Sequence, residues 1–351
     1  MEMGIARRII VAAAVLAMVS AGAFGESVSM EAGNIALDAT LAGQTTFQQV
    51  TFQQVYDSAP IVVMVPSNQE DDPYSLRIRN VTTTGFEVAP VEPANFDGPH
   101  GAVNVPYLAI EPGIHQLGGL TIEAALHTTS TASSNTSTST HDAVDFAASF
   151  SQAPAALVTI QTMVNELDAP PGEPSRPWMT PGVESVTAGQ IKLSLEVAET
   201  GHMPLITQDE AIGYVAFSAG SGSFVDAGGA TILCDSLTSG AIIQGWTDTT
   251  PDGTGYAVDF NQTFADAPGV TIGTIASRNG GDGGWIRRCA VTADESYWTI
   301  DEDTVKDTER SHGGSEQVGI VAFSEPFVVP EPLSLTLLAI GAAGLVMRRR
   351  R

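Results

Sequence analysis

VTFQQVYDSAP, residues 50–60, recurs as VDFAASFSQAP at residues 144–154 and as VDFNQTFADAP at residues 258–268. The three copies share the pattern Val-x-Phe-x-x-x-(Phe/Tyr)-x-x-Ala-Pro, and an apolar run follows each of them: IVVMV, AALVTI and GVTIGTI. Self-similarity of this kind indicates that one structural unit is present several times. The sequence therefore predicts three copies of one unit, and the organisation of the chain depends on how they combine.

Two further landmarks follow the motif in the same order in every copy. The first is a Val-Thr pair, which occurs as Val81-Thr82, Val186-Thr187 and Val291-Thr292. The second is a short apolar run that closes the unit: VPYLAI, IGYVAF and VGIVAF. Between these landmarks, strand-forming residues alternate with polar ones and are interrupted by Gly, Pro, Asn and Asp. These patterns predict an all-β fold made of three tandem antiparallel β-sandwich units.

The N-terminal stretch MEMGIARRIIVAAAVLAMVSAGAFGES has the three parts of a secretory signal peptide. Arg7 and Arg8 supply the positive charge, residues 9–19 form the apolar core, and small residues follow where cleavage would occur. A membrane-spanning helix needs about 20 apolar residues, and this run is shorter. We therefore expect residues 1–25 to be removed during export.

The C-terminal stretch consists of Pro330-Glu331-Pro332, an apolar run over residues 333–347, and Arg348, Arg349, Arg350 and Arg351. It resembles the PEP-CTERM sorting signal of Gram-negative-type bacteria. The resemblance implies passage through the secretion machinery, processing by an exosortase near the Pro-Glu-Pro motif, and export to the cell surface or extracellular matrix. The apolar run is expected to form a hydrophobic helix in the inner membrane, with the arginines on the cytoplasmic side. A plain C-terminal membrane anchor is the alternative interpretation.

The predicted organisation has five segments. These are a signal peptide at 1–25, repeat A at 26–111, repeat B at 112–218, repeat C at 219–328 and the sorting signal at 329–351. Repeat B contains the Ser/Thr-rich stretch HTTSTASSNTSTSTHD, which is expected to be an exposed loop. Only the terminal segments are expected to contact the membrane, and only before they are processed.

Repeat A resembles the H-type lectin domain of snail agglutinins and discoidins. The positions that carry this resemblance are Phe52, Pro60, Val62, Asn80, Val81, Thr82, Gly85 and Phe86. The family implies a six-stranded antiparallel β-sandwich that assembles as a trimer and binds N-acetylgalactosamine-type sugars at subunit edges. No Trp follows Phe86, so no sugar-contacting residue is transferred to this chain. Three tandem copies are compatible with a trimer contained in one chain and with separate beads on a string.

The net charge of −25 disfavours nucleic acid and anionic headgroups as partners, because an anionic surface repels both. Acidic clusters occur at Glu70-Asp71-Asp72, at Asp248 with Asp252, and at Asp301-Glu302-Asp303. Oxygen-rich loops of secreted proteins can bind Ca²⁺, but none of these clusters has a known calcium-loop spacing. Each acidic cluster can therefore be interpreted as a calcium site or as carboxylates that are simply hydrated.

The two cysteines, Cys234 and Cys289, both lie in repeat C. In an oxidising compartment we expect them to form a disulfide, with two separately buried thiols as the alternative. The chain has no HExxH, GxSxG, P-loop or GxGxxG motif, and its six histidines are scattered. The sequence therefore predicts a protein that is not an enzyme.

Trp285 lies in the Gly-rich stretch GGDGGWIRR, next to Arg287. An aromatic ring beside a cation in an acidic protein is a candidate ligand contact, and the alternative is that the ring caps the end of a sandwich. The sequence thus favours an exported, non-catalytic surface or matrix protein that binds extracellular polysaccharide or mediates adhesion. A secreted polysaccharide hydrolase and a structural matrix protein without a specific ligand are the alternatives.

Overall fold

A computed structural model describes the chain in ten stretches: residues 28–41, 46–70, 72–93, 99–133, 140–165, 179–197, 206–245, 255–281, 283–302 and 310–330. All regular elements in these stretches are strands, so the predicted all-β class is confirmed. Among the described residues, no helix has the length and apolar character needed to cross a bilayer. The predicted signal peptide and nearly all of the predicted sorting segment, including its helix, lie outside them.

In chain order the strands are β1 (Met30–Leu37), β2 (Gln48–Thr51), β3 (Ile61–Met64), β4 (Ser75–Arg79), β5 (Gly85–Val91), β6 (Val103–Ile110), β7 (Gly113–Leu117), β8 (Leu120–Thr129), β9 (Ala132–Ser133), β10 (Asp142–Asp145), β11 (Ala155–Ile160), β12 (Thr180–Val186), β13 (Gln190–Glu196), β14 (Glu210–Phe217), β15 (Gly220–Val225), β16 (Thr231–Thr238), β17 (Tyr256–Asp259), β18 (Val270–Ile275), β19 (Trp285–Val291), β20 (Glu295–Asp301), β21 (Val318–Phe323) and β22 (Phe327–Val329). Apart from the short parallel contact between β9 and β13, the ladders between these strands are antiparallel.

The strands form six sheets, which we group into three sheet pairs. Pair A combines the sheet β22-β1-β6-β3 with β2-β5-β4, and pair B combines β11-β14-β8-β7 with β10-β13-β12, in which β9 also pairs with β13. Pair C combines β15-β16-β21-β18 with β17-β20-β19. Apolar clusters join the two sheets of each pair, because side chains from both contribute to the same buried core.

One edge strand in each of the sheets β22-β1-β6-β3, β11-β14-β8-β7 and β15-β16-β21-β18 links two sheet pairs. β7 and β15 follow the closing strands β6 and β14, and they pair with β8 and β16 at the start of the next sheet pair. β22 follows β21 in the same way, but it pairs with β1, from Met30↔Val329 to Ala32↔Phe327. The C-terminal strand thus returns to the first sheet pair and closes a ring. Residues 327 and 328, which the sequence analysis assigned to repeat C, are therefore hydrogen-bonded within pair A.

The three four-stranded sheets share one central core. Ile61 of β3, Leu157 of β11 and Ile272 of β18 belong to a single buried cluster. Because each of these sheets also packs against the second sheet of its pair on its other face, every residue of β3, β11 and β21 is buried. Strands that are covered on both faces have continuous apolar sequences. Residues of all three sheet pairs thus contribute to one buried cluster.

The edge strands β3, β11 and β18 contact one another at the centre of the ring. The Thr159 hydroxyl accepts a hydrogen bond from Met64 N (3.2 Å), and the Thr274 hydroxyl accepts one from Val158 N (3.1 Å). Gln161 accepts from Val62 N (3.0 Å) and donates to Val62 O (2.6 Å). These bonds satisfy main-chain groups that an exposed edge strand would otherwise offer to another chain.

The repeated Phe-containing motif forms a loop whose two rings plug the core of its sheet pair. The rings contact edge to face, with centroids 5.1 Å apart for Phe52 and Tyr56 and 5.3 Å apart for Phe260 and Phe264. The Val-Thr pair forms the hairpin turn that holds this loop: Thr82 N donates to Gly85 O (2.8 Å). Thr187 and Thr292 make the same bond in the other two copies, to Gln190 O and Glu295 O.

A buried carboxylate on β1, β8 and β16 fastens the motif loop of pairs A, B and C, a feature that the sequence analysis missed. Main-chain N–H groups of the loops donate to these carboxylates: Gln53 N to Glu31 (2.9 Å), Ala148 N to Glu123 (2.6 Å) and Asn261 N to Asp235 (2.7 Å). The signal was present in the sequence, because each of these three strands carries a single acidic residue. A buried carboxylate needs such donors to offset its loss of hydration.

The hydroxyl partner of this carboxylate differs between the copies. Tyr107 donates to Glu31 and Tyr214 donates to Glu123, both at 2.7 Å. In pair C the corresponding strand carries Ile320, and Ser221 donates to the shorter Asp235 instead (2.7 Å). Burial raises the pKa of Glu31, although its hydrogen bonds from Tyr107 and the main chain act in the opposite direction.

Candidate functional site

Trp285 and Arg287 are buried between pairs A and C, which contradicts their predicted exposure to a ligand. Trp285 Nε1 donates to Tyr74 O (2.7 Å), and the adjoining cavity measures about 40 Å³, enough for water molecules only. Arg287 is ion-paired with Asp301 (2.8 Å), and its guanidinium lies 4.9 Å from the Tyr74 ring centroid. β19 approaches pair A because Arg288 N donates to Pro66 O (2.9 Å). Both side chains therefore join two sheet pairs.

Cys234 and Cys289 are free thiols, so the predicted disulfide is not formed. Cys234 lies on β16 and belongs to the central core, whereas Cys289 lies on β19 in the other sheet of pair C. Burial raises the pKa of Cys234 above the ordinary range and raises the pKa of Cys289 to about 11. Neither thiol has the lowered pKa that a nucleophilic cysteine requires.

The described carboxylates of the acidic clusters have partners within the chain. Glu70 accepts from Gly101 N (2.7 Å), and Asp301 binds both Arg287 and Arg310. Within the described stretches, no three His, Cys, Asp or Glu side chains come together as a metal site. Asp71, Asp248, Asp252 and Asp303 lie outside these stretches. The carboxylate oxygens of Glu70 and Asp301 thus accept hydrogen bonds from protein donors and are not arranged around an ion.

A buried histidine bridges two glutamates beside the contact between pairs B and C. His312 Nδ1 lies 2.5 Å from Glu302 Oε1, and His312 Nε2 lies 3.0 Å from Glu316 Oε1. Glu316 also accepts from the Ser277 hydroxyl and from Gly280 N. Burial alone would lower the pKa of His312, but the two carboxylates outweigh it and raise the pKa to about 9. His312 is therefore protonated at neutral pH and cannot accept a proton from a nucleophile.

The stability of the protein is expected to fall as the pH rises through this cluster's range. Because the pKa of His312 is raised on folding from 6.5 to about 9, its contribution is complete below pH 6.5 and is lost as the pH rises through about 9. The loss amounts to roughly 3 kcal/mol at most. Denaturant unfolding between pH 6 and 10 measures it, and His312→Gln is expected to flatten the profile. A wild-type profile as flat as that of the variant would contradict the assignment.

Pair B brings together a serine, a histidine and a glutamate in an order that resembles a catalytic triad. The Ser133 hydroxyl lies 3.2 Å from His141 Nε2, and His141 Nδ1 lies 3.9 Å from Glu184 Oε2. The second distance is too long for the hydrogen bond that orients a catalytic base. The Ser133 hydroxyl also donates to Thr140 O (3.0 Å), and Glu184 is paired with Lys192 (2.9 Å).

Pair A has a matching row of side chains, which shows that the row in pair B is an element of the repeated fold. Phe47 occupies the position of His141, one residue before the motif strand, and its ring stacks on the Arg79 guanidinium at 3.6 Å. Arg79 is paired with Glu87 (2.7 Å), as Glu184 is with Lys192. The row is thus a structural feature of both copies. The cation precedes the acid in pair A (Arg79 and Glu87), and the acid precedes the cation in pair B (Glu184 and Lys192).

The row ends at a region that we call the corner, where the first strand of a pair ends and its motif strand begins. In pair B, Asp142 fills the corner and accepts from the Thr129 hydroxyl (2.6 Å) and from His127 (2.9 Å). In pair C, Tyr256 fills it and donates to Gln244 (3.0 Å). In pair A the equivalent residue is Gln48, which donates to Ala36 O (2.9 Å) and accepts from Asp38 N (3.3 Å). A cavity of about 140 Å³ lies beside it, lined by Leu37, Asp38, Ala39, Thr46, Phe47, Gln48, Val88 and Pro90.

The described polar clusters thus connect strands within and between the sheet pairs. Sequence reasoning did not select Gln48, Asp142 and Tyr256, because the residue types at these equivalent positions differ between the three copies. No family model, no curated protein and no solved structure matches this chain.

Proposed function

We propose that this chain is an exported, non-catalytic protein of a bacterial cell surface or extracellular matrix, and that it binds carbohydrate. In this proposal three tandem β-sandwich units form one closed body. The signal peptide directs export, and the segment from Pro330 onward is processed by an exosortase. The binding role follows the resemblance of repeat A to H-type lectins.

The observation that carries the proposal is the pairing of β22 with β1. Met30 lies opposite Val329, so the two ends of the folded body are side by side. Val329 is followed directly by Pro330-Glu331-Pro332 and the apolar run. A rigid body whose ends leave from one point is suited to display from a single attachment, with the opposite surface free for binding.

The non-catalytic part of the proposal is supported by how the reactive side chains are engaged. The His312 imidazolium is held between two carboxylates, and the Ser133 hydroxyl donates to a main-chain carbonyl. The buried Cys234 thiol and the half-buried Cys289 thiol both have raised pKa values. Arrangements of this kind stabilise a fold but do not activate a nucleophile.

Sorting is tested by Glu331→Ala in a bacterium that has an exosortase. We expect the variant to stay with the inner membrane as an unprocessed chain, whereas the wild type reaches the surface fraction. Glu325→Ala is the matched control, because Glu325 is an exposed acid just before β22 and outside the motif. Immunoblotting of cell fractions measures the distribution. Surface delivery of the Glu331→Ala variant at the wild-type level would contradict the sorting proposal.

A further inference from the structure

We infer that Asn279 is a site of spontaneous covalent modification, at which the side-chain amide is converted to a carboxylate, and that Glu316 controls the rate of this conversion. Asn279-Gly280 is the one Asn-Gly dipeptide in the sequence, and Asn279 is exposed. Asparagine is a chemically labile residue. A following glycine favours its deamidation, because glycine has no side chain to hinder the attacking main-chain nitrogen.

The reaction is an attack of the Gly280 main-chain nitrogen on the side-chain carbonyl carbon of Asn279. Hydroxide from solvent first removes the proton of the Gly280 N–H. The new N–C bond closes a succinimide ring, and the side-chain nitrogen takes up a proton from water and leaves as ammonia. Water then opens the ring at either carbonyl, which gives aspartate or isoaspartate. Water is the only co-reactant.

Close packing explains why a glycine follows Asn279. A Cβ on Gly280 would lie 2.2 Å from Cε1 and 2.4 Å from Nε2 of the buried His312 ring. The facing residue is Gly314, and a Cβ there would lie 2.5 Å from Gly280 N. The approach of these two main-chain segments therefore excludes a larger residue after Asn279, although such a residue would slow the reaction.

Glu316 holds the attacking nitrogen in the folded protein. Gly280 N and Asn279 N both donate to Glu316 Oε1, each at 2.7 Å. His312 Nε2 lies 3.0 Å from the same oxygen, and the Ser277 hydroxyl donates to the other oxygen of the carboxylate. Hydrogen bonds to an ionised acceptor are stronger than those between neutral groups. The Gly280 N–H is therefore released only when this cluster opens.

The Asn279 side chain is also held. Its Nδ2 donates to Ser315 O (2.8 Å), so any movement of the amide breaks this bond. Native proteins open locally without unfolding completely, and segments on the surface open most often. Local opening of the segments that contain Asn279 and Ser315 is thus the step that permits deamidation.

The modification is expected to weaken the contact between pairs B and C. In the aspartate form an oxygen replaces the Nδ2 donor, so Ser315 O loses its hydrogen bond and a second negative charge lies near Glu316. Arg278, the preceding residue, is paired with Glu196 of pair B (2.6 Å). Displacement of the segment therefore also disturbs an ion pair that joins the two sheet pairs.

The test incubates the purified exported protein at neutral pH, folded and in guanidinium chloride, and follows each asparagine by peptide mass spectrometry. We expect Asn279 to react before the other described asparagines, and at least about tenfold more slowly in the folded protein than in the denatured chain. Asn104 is the internal control, because it is exposed but is followed by the branched Val105. Faster reaction of Asn104, or equal rates for Asn279 in the two states, would overturn the inference.

Hydrogen exchange of the Gly280 amide, measured by NMR on the folded protein, tests the role of local opening without any substitution. Exchange and deamidation both require a Gly280 N–H that is free of Glu316. Folding must therefore slow deamidation by at least the factor by which it slows exchange. A smaller factor for deamidation would show that the reaction does not pass through this opening.

Glu316→Gln removes the charge of the acceptor and is expected to raise the deamidation rate of the folded protein about tenfold, the equivalent of about 1.4 kcal/mol. Glu87→Gln is the matched control, because it removes the carboxylate of an ion pair in pair A, 2.7 Å from Arg79, and should leave the rate unchanged. Circular dichroism checks that each variant is folded. Equal rates for wild type and a folded Glu316→Gln variant would contradict the inference, and if this variant does not fold, the exchange measurement decides.

Asn279→Asp reproduces the aspartate product and tests its consequence. We expect this variant to unfold at a lower denaturant concentration than Asn104→Asp, which adds the same charge at an exposed position on β6. Equal unfolding midpoints for the two variants would show that the modification leaves the contact between pairs B and C intact.

Discussion

Replacing Phe327 with alanine is expected to lower the free energy of unfolding of the whole body by about 3–5 kcal/mol. Phe327 is buried, and its ring centroid lies 4.9 Å from that of Phe224 and 4.8 Å from that of Phe323. The substitution removes this ring from the cluster that anchors β22 between pairs A and C. Because the three four-stranded sheets share one core, we expect a single unfolding transition at lower denaturant concentration.

Equilibrium unfolding of residues 26–330, followed by far-ultraviolet circular dichroism and tryptophan fluorescence, measures this effect. Val225→Ala is the control, because Val225 is 61% exposed on the neighbouring strand β15. We expect it to change the stability by less than about 0.5 kcal/mol. Separate transitions, with only one of them shifted by Phe327→Ala, would show that the sheet pairs unfold independently and that the ring is not one cooperative body.

Replacing Arg287 with methionine is expected to cost about 3–5 kcal/mol, since it breaks a fully buried ion pair. Asp301, with no exposed side-chain surface, would keep Arg310 as its partner but lose the 2.8 Å contact to Arg287. The main-chain carbonyls of Glu70 and Asp72 would lose the same donor. A buried carboxylate that loses one of its two cationic partners and carbonyls that lose their donor are each costly to keep away from water. Pairs A and C are joined at this point, so the loss affects their contact directly.

Lys192→Met provides the comparison for this prediction. Lys192 and Glu184 are also paired, at 2.9 Å, but 39% and 35% of their side-chain surfaces are exposed. An exposed ion pair contributes about 0–1 kcal/mol. Arg287→Lys keeps the charge without the planar fork of donors, and we expect it to lie between wild type and Arg287→Met. Denaturant unfolding of the three variants in one buffer gives the order of their losses in the free energy of unfolding. Equal losses for Arg287→Met and Lys192→Met would refute this prediction.

The local structure could be predicted from the sequence because each recognisable pattern involves residues that are only a few positions apart. The Phe-containing motif, the Val-Thr turn and the closing apolar strand each correspond to one element, and each is recognisable in all three copies. The all-β class follows from their alternation and from the Gly, Pro and Asn residues between them. The apolar runs of β3, β11 and β21 also carry information, since continuous apolar strands indicate sheets that are covered on both faces.

The candidate site was not predictable in the same way. Trp285 and Arg287 follow a glycine-rich stretch in the sequence, which suggested an exposed loop, but β19 also bonds to residues 66–68 from a different part of the chain, and this contact buries them. Phe47 has no motif of its own, and its role emerges from the Arg79 side chain that stacks on it. Cys234 and Cys289 lie in one repeat, yet the two sheets of that pair direct them to different surroundings.

By itself, then, the sequence determined what each unit is: a set of strands and turns whose residues interact with near neighbours. Only the tertiary structure decided that the units share a core and that β22 returns to β1. The physical reason is that pairing between Met30 and Val329, or packing of Ile61 against distant sheets, depends on the geometry of the assembled body. No residue pattern within a single repeat encodes that geometry.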